Sequence, residues 1–402
     1  GHEHDHDCCC CDDTGGICDN FSPSEPGEVA ADQTCQGVSD PIPLDAEVEW
    51  QWPAAGAALP TYYNVMMTPV IAPLYDNNGD GSVNENDTPS VVFTAFSGAA
   101  YTGVGALVVV NGETGAEELY LTSVLEPGGI VEHFFGGVSG VALGDLEGDG
   151  RVDICVGGYQ AAVICLEADG TFKWVGNGTT HRNGAPAIAD MNGDGSAEVI
   201  FGNEIFDSSG TLLGTGLYGW GSSNADHSSV PVVADINLDG TQEVIVGNAA
   251  YDMSGAALWH NASVSDGTTA IGDFDLDGIP EIVVVQNGEV FILDNTGVLL
   301  ESFSLVDSRG GPPTIADYDG DEVPEIGVAG ANYYAVYEAD GTILWQTATV
   351  DWSVRFWILA LLASLLASLD FHDLPTDFHD LPTDFHDLPT NSHVSGRTFM
   401  IY

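Results

Sequence analysis

Short apolar runs alternate with polar turns along most of this chain, and the alternation repeats. Each repeat opens with a run such as GVALG (140–144), APAIA (185–189), VPVVA (230–234), TTAIG (268–272) or PPTIA (312–316). An acidic turn follows, and then a second run: VDICVGG (152–158), EVIFG (198–202), EVIVG (243–247), EIVVV (281–285) or EIGVAG (325–330). Further on come a DG or TG turn and one or two more runs, as in AAVICLEADGTFKW (161–174) and VFILDNTGVLLESF (290–303). Brief apolar runs bounded by glycine-rich turns predict buried strands, and DG or TG before the last run predicts a hairpin. Amphipathic helical periodicity is absent between Leu44 and Val350, which disfavours a helical solenoid.

The repeat length narrows the architecture. Acidic motifs beginning at Asp145, Asp190, Asp235, Asp273 and Asp317 are spaced by 45, 45, 38 and 44 residues, with a gap of 69 back to a first motif at Asp76. Four short strands in roughly 40–45 residues is the period of a propeller blade. The expected fold is all-β, a β-propeller of about seven four-stranded blades. Six repeats are clear, over about 60–125, 134–176, 184–218, 228–262, 268–304 and 311–347. The segment DAEVEWQWP (45–53) has strand character and could close the ring by completing a last, seventh blade.

Within each motif, oxygen-bearing side chains fall at positions 1, 3 and 5, a backbone carbonyl is available at 7, and an acid stands at 9. This alternation suits a hard cation that wants six to eight oxygens, and glycine at position 6 permits the sharp turn. The predicted ligands are Asp145, Glu147, Asp149, Arg151 (carbonyl) and Asp153 in the second loop; Asp190, Asn192, Asp194, Ser196 and Glu198 in the third. They are Asp235, Asn237, Asp239, Thr241 and Glu243 in the fourth, and Asp273, Asp275, Asp277, Ile279 and Glu281 in the fifth. The first loop differs: Asp76, Asn78, Asp80, Ser82 and Asn84 are followed by an acid only at position 12, Asp87. The sixth (Asp317, Asp319, Asp321, Val323, Glu325) has Gly320 at position 4 and Glu322 where the glycine should be. Zinc is disfavoured because the loops lack Cys and His, and Mg²⁺ because it tolerates all-protein cages poorly. Up to six Ca²⁺ are expected, with a structural role. Arg151 is the only cationic side chain inside the second motif.

FFGGVSGVALGDLEGDG (134–150) resembles the FG-GAP repeat of integrin-type propellers, and the other motifs resemble its bacterial VCBS relatives. The resemblance covers about 45–350. It implies a seven-bladed propeller, calcium held between the first two strands of a blade, and an extracellular or cell-surface setting. It implies no single function: such proteins serve in adhesion and ligand binding, and some polysaccharide lyases use similar repeats.

Charge then limits the partners. With 61 acidic and 6 basic residues in 402, the formal net charge is -55, which excludes nucleic acid and an anionic membrane surface as natural partners. A hydrophobic fraction of 44% argues for a packed core rather than an acidic disordered chain. Residues 1–44 hold six of the eight cysteines and read as a loop-rich or disordered Cys/Asp-rich segment, stapled by disulfides in an oxidising compartment. Cys155 and Cys165 stand opposite each other if their hairpin turns near Gln160, as a cross-strand disulfide or as two reduced core thiols.

Four cationic or titratable residues, His181, Arg182, His227 and Arg309, precede motifs at related positions. They are a candidate patch for an anionic ligand such as an acidic glycan, or for a surface protein. The alternative is pairing with neighbouring acids such as Asp226 and Asp307. Motifs for hydrolases, zinc proteases, phosphate loops or dinucleotide binding are absent, so the binding-module reading leads over a lyase-like enzyme. Residues 351–402 break the pattern with an apolar run and three copies of DFHDLPT, and a frameshift near Val354 would explain why a seventh motif is missing.

Overall fold

The computed structural model describes residues 48–349 apart from 99–102, 130, 160–162, 177–183, 222–228 and 308, together with 398–401. The Cys/Asp-rich segment, His181, Arg182, His227, and the apolar and DFHDLPT stretches lie outside the described residues. Every regular element among the described residues is a strand.

Six sheets follow one another along the chain, and the repeats account for their order. Sheets 2 to 6 are four-stranded antiparallel meanders spanning Val141–Val175, Ala187–Thr215, Val232–His260, Thr268–Ser304 and Thr314–Ala348. Sheet 1 begins the same way, with Val70–Ala72, Ser90–Ala95, Val104–Asn111 and Glu117–Leu121. An additional hairpin, Ser123–Leu125 with Glu132–Gly136, pairs onto its long third strand through Val104 and Gly105. That hairpin contains the FF of the FFGG stretch.

The second strand of each sheet explains the continuous apolar runs. Asp153–Gly157, Glu198–Phe201, Glu243–Val246 and Glu325–Ala329 are buried at every position. A strand covered on both faces has no solvent side on which to alternate. What covers it is the next sheet. One core cluster joins Val92 and Leu107 of sheet 1 to Ile154 and Ile164 of sheet 2, and another joins Val163 of sheet 2 to Val199 and Phe206 of sheet 3. The series continues between sheets 3 and 4, 4 and 5, and 5 and 6. First strands of successive sheets run alongside one another from Val70–Ala72 to Thr314–Ala316. This is the stacking order of propeller blades, in which no sheet buries its faces alone.

A tryptophan latch recurs at the outer edge. Trp174, on the last strand of sheet 2, donates from Nε1 to Ser208 O of the sheet 3 hairpin at 2.8 Å, and Trp259 of sheet 4 donates to Asn295 O of sheet 5 at 3.0 Å. Both indoles lie over the hairpin glycine, Gly210 and Gly297. Trp50 does the same to sheet 1, donating to Gly112 O at 3.0 Å and lying over Gly115. The segment Val48–Trp52, expected to complete a last blade, thus presents Trp50 as an outer strand does, while its backbone pairs in parallel with Thr398–Ile401.

Candidate metal centres in the acidic loops

Each predicted loop connects the first strand of a sheet to the second, and all six share one backbone path. The position 1 aspartate organises it. In the second loop, Asp145 Oδ1 accepts from the amide of Asp149 (3.0 Å) and Oδ2 from Gly150 (2.6 Å). Asp190, Asp235, Asp273 and Asp76 accept the same amides from positions 5 and 6. Partial burial alone would raise Asp145, but the amides of Gly150, Asp149, Gly148 and Glu147 outweigh it and hold the carboxyl below its ordinary value. The position 5 aspartate in turn accepts the position 7 amide, as Asp149 does from Arg151 at 2.9 Å. Carboxylate oxygens carry lone pairs beyond those the amides use, so this scaffold orients them without exhausting them.

The sixth loop keeps the path despite its irregular sequence. Glu322 sits at φ 75°, the left-handed region where Gly150, Gly195, Gly240 and Gly278 sit in the other loops, and its amide donates to Asp317 Oδ2 at 3.0 Å. Asp317, Asp319, Asp321 and Glu325 each bring an oxygen within 4.8 Å of the others, the fullest carboxylate cluster among the described residues. Smaller clusters form from Asp273, Asp275 and Glu281, and from Asp145, Glu147 and Asp153.

The acid at position 9 opens the second strand and is buried. One oxygen of Glu198, Glu243, Glu281 and Glu325 accepts the amide of position 2, from Met191 (2.9 Å), Ile236 (3.0 Å), Phe274 (2.9 Å) and Tyr318 (2.5 Å). Burial, followed by the neighbouring loop aspartates, pushes all four carboxyls up; Glu325 reaches about 7. Glu325 is fully buried and its Oε1 has no hydrogen-bond partner. A buried carboxylate oxygen without a donor is costly unless a cation meets it. The donor set is all oxygen, which fits a hard divalent ion. In the first loop Asp87 takes the position 9 role from position 12: its oxygens accept from Asn77 (3.0 Å), Asn78 (3.2 Å) and Asn84 (2.9 Å).

The second loop holds a residue that motif reading missed. Lys173, from the last strand of sheet 2, donates from Nζ to Glu147 Oε2 (2.7 Å), Asp153 Oδ1 (3.0 Å) and Glu167 Oε1 (3.1 Å). Arg151 is therefore not the only cation at this loop. Lys173 lies 20 residues after Asp153, two strands away, and only the meander brings it back. No local spacing signalled it, since the contact depends on the meander folding the last strand back along the third, which pairs with the second.

Of the ligand patch only Arg309 is described. It is exposed and makes no ion pair among the described residues. Asp307, its expected counter-ion, spends its oxygens on the amides of Ala331 (2.7 Å) and Asn332 (2.5 Å). Cys155 and Cys165 face each other in register and form a disulfide, with Ile154 opposite Leu166 as the hairpin predicted.

Residues 145–201, which run from the second acidic loop through the third, match the family model described as FG-GAP-like repeat. No curated protein sequence matches the chain. Among solved structures, the V. cholerae biofilm matrix protein Bap1 superposes with a TM-score of 0.56 at 19% identity, over 76% of this chain and 64% of Bap1. The Dos1 propeller (TM-score 0.44, 15% identity, 72% of this chain and 74% of that one) and the rhamnogalacturonan lyase YesW (0.34, 14%, 74% and 78%) also match. The sheet order and the Bap1 likeness make the fold an all-β propeller. This chain spans less than two thirds of the length of Bap1. No helix among the described residues is long and apolar enough to cross a membrane.

Proposed function

We propose that the chain is a calcium-binding propeller module that works outside the cell in adhesion or ligand binding, with calcium mainly structural. The observation that carries the reading is Glu325, buried, with one oxygen capped by the Tyr318 amide and the other without a donor amid Asp317, Asp319 and Asp321. A calcium ion supplies the charge that four convergent carboxylates lack, and it would be held there by those side chains with the Val323 carbonyl. The equivalent residues of the other loops would hold up to five more. The chain's own part is to aim the carboxylates by amide hydrogen bonds and to bury the position 9 acid at the root of the second strand.

The Cys155–Cys165 disulfide supports an oxidising setting outside the cytosol, where free calcium is also abundant. Bap1, a biofilm matrix protein, is a propeller relative consistent with that setting. The partner proposed is an acidic glycan or surface protein approached through Arg309, with His181, Arg182 and His227 as its companions. Because ligand that binds only the folded state stabilises it by mass action, stripping calcium with EDTA lowers the melting temperature sharply, and added calcium restores it. A melting curve indifferent to EDTA would remove the calcium reading.

A further inference from the structure

The chain contains a single lysine, and the fold places it among three carboxylates of the second loop and its hairpin. The Lys173 side chain is 10% exposed and that of its central partner, Asp153, 2%. Asp153 Oδ2 accepts the Leu146 amide at 3.2 Å and Oδ1 accepts from Lys173, so both oxygens of this position 9 acid are engaged. In the sixth loop the corresponding oxygen of Glu325 has no partner. The ammonium thus meets the oxygen that in the sixth loop has no partner, whereas in the fourth loop Asn237 Nδ2, a neutral donor, reaches it at 3.1 Å.

Two sequence differences accompany it. Position 9 is aspartate here and glutamate in loops three to six, and the shorter side chain leaves room for the ammonium. Counting from the hairpin glycine, the residue equivalent to Lys173 is Leu213, Leu258, Leu300 and Leu344 in sheets 3 to 6 and Glu118 in sheet 1. None of these can supply a cation. The same sheet also bears the Cys155–Cys165 bond, a second tie that needs no metal.

We propose that the second loop carries its own cation, with the Lys173 ammonium standing where the other loops take a divalent ion, so that this loop binds calcium far more weakly than its relatives. The inference rests on the calcium reading of the other loops. An ammonium and a calcium ion cannot share Glu147 and Asp153 at hydrogen-bond range, because like charges that close repel strongly in a partly dry site. To load this loop, calcium must expel Lys173 and leave the ammonium beside it.

The test counts calcium bound per full-length chain after metal stripping and equilibrium dialysis at fixed free calcium, for the wild type and Lys173→Met. The expected result is one more calcium in the variant. Equal, non-zero counts overturn the inference and leave the calcium reading standing; a count of zero in both overturns both. A second measurement needs no variant. Acetylation of the lone lysine, read by peptide mass spectrometry, is expected to be slower by about tenfold or more in the folded chain than in urea, equally with and without calcium. Labelling that calcium accelerates shows the ammonium displaced by the ion and overturns the inference.

Discussion

At the scale of one residue, Glu325 is a carboxylate for which a proton and a metal ion would compete. Its carboxyl is raised to about 7 from an ordinary 4.5, first by burial and then by Asp319, Glu338 and Asp317, against the pull of the Tyr318 amide. A carboxyl raised in the folded state contributes stability that is fully present below the unfolded value and is lost as pH climbs through the folded one. Metal-free protein is therefore expected to lose melting temperature between about pH 4.5 and 7. Glu198, Glu243 and Glu281 act in the same direction, while Asp145, Asp207 and Asp294 are lowered and titrate below that window. Glu325→Gln removes its share of the loss and so flattens the metal-free profile. In millimolar calcium the ranking inverts, because the variant has lost a ligand. Melting curves of both proteins across that pH range, with and without calcium, check this; a metal-free profile that rises with pH in both would contradict it.

At the scale of elements, the hairpin glycines do two jobs that a turn dipeptide does not reveal. Gly210 sits at φ 84°, and a Cβ built on it would stand 2.5 Å from the Trp174 ring. Gly210→Ala is thus strained in its backbone and also pushes the indole that latches sheet 2 to sheet 3. We expect a loss of roughly 2–4 kcal/mol in urea unfolding, the sum of a left-handed alanine and an overpacked contact. Gly128→Ala, at φ 100° with nothing within 4 Å of its Cβ, carries only the first cost. Equal losses in the two variants would mean that the tryptophan contact is not under compression. The glycine was legible as a turn signal; its tryptophan was not, since the two are 36 residues apart on neighbouring sheets. The strand, acidic turn and strand of each repeat were legible because all their constraints are local: run length, Asx-type turns and a left-handed position 6. The Ser123–Gly136 hairpin was not legible because its three-residue first strand, which buries only Val124, does not repeat elsewhere. Lys173 escaped for the reason Trp174 did, a partner set by the meander rather than by spacing.

For the whole molecule, the net charge of -55 is the burden that the packed sheets must outweigh. Acidic side chains gather between the first and second strands of these sheets, forming close carboxylate clusters in three of the loops, and among the described residues Lys173 is the only basic side chain that makes an ion pair with them. Repulsion of this kind is long-ranged in dilute buffer and screened in concentrated salt, the Debye length falling from about 10 Å at 0.1 M to about 3 Å at 1 M. Calcium acts differently, by occupying particular loops. The two effects separate by experiment. In a chelator, the melting temperature should climb steadily as NaCl is raised from about 0.05 to about 1 M, because screening relieves the folded state more than the expanded one. With calcium bound, most of the local repulsion is already neutralised, and the same titration should move the melting temperature much less. A chelated protein indifferent to NaCl would mean that the apolar packing between sheets carries the fold without regard to charge, and that calcium, where it binds, orders the loops and little else.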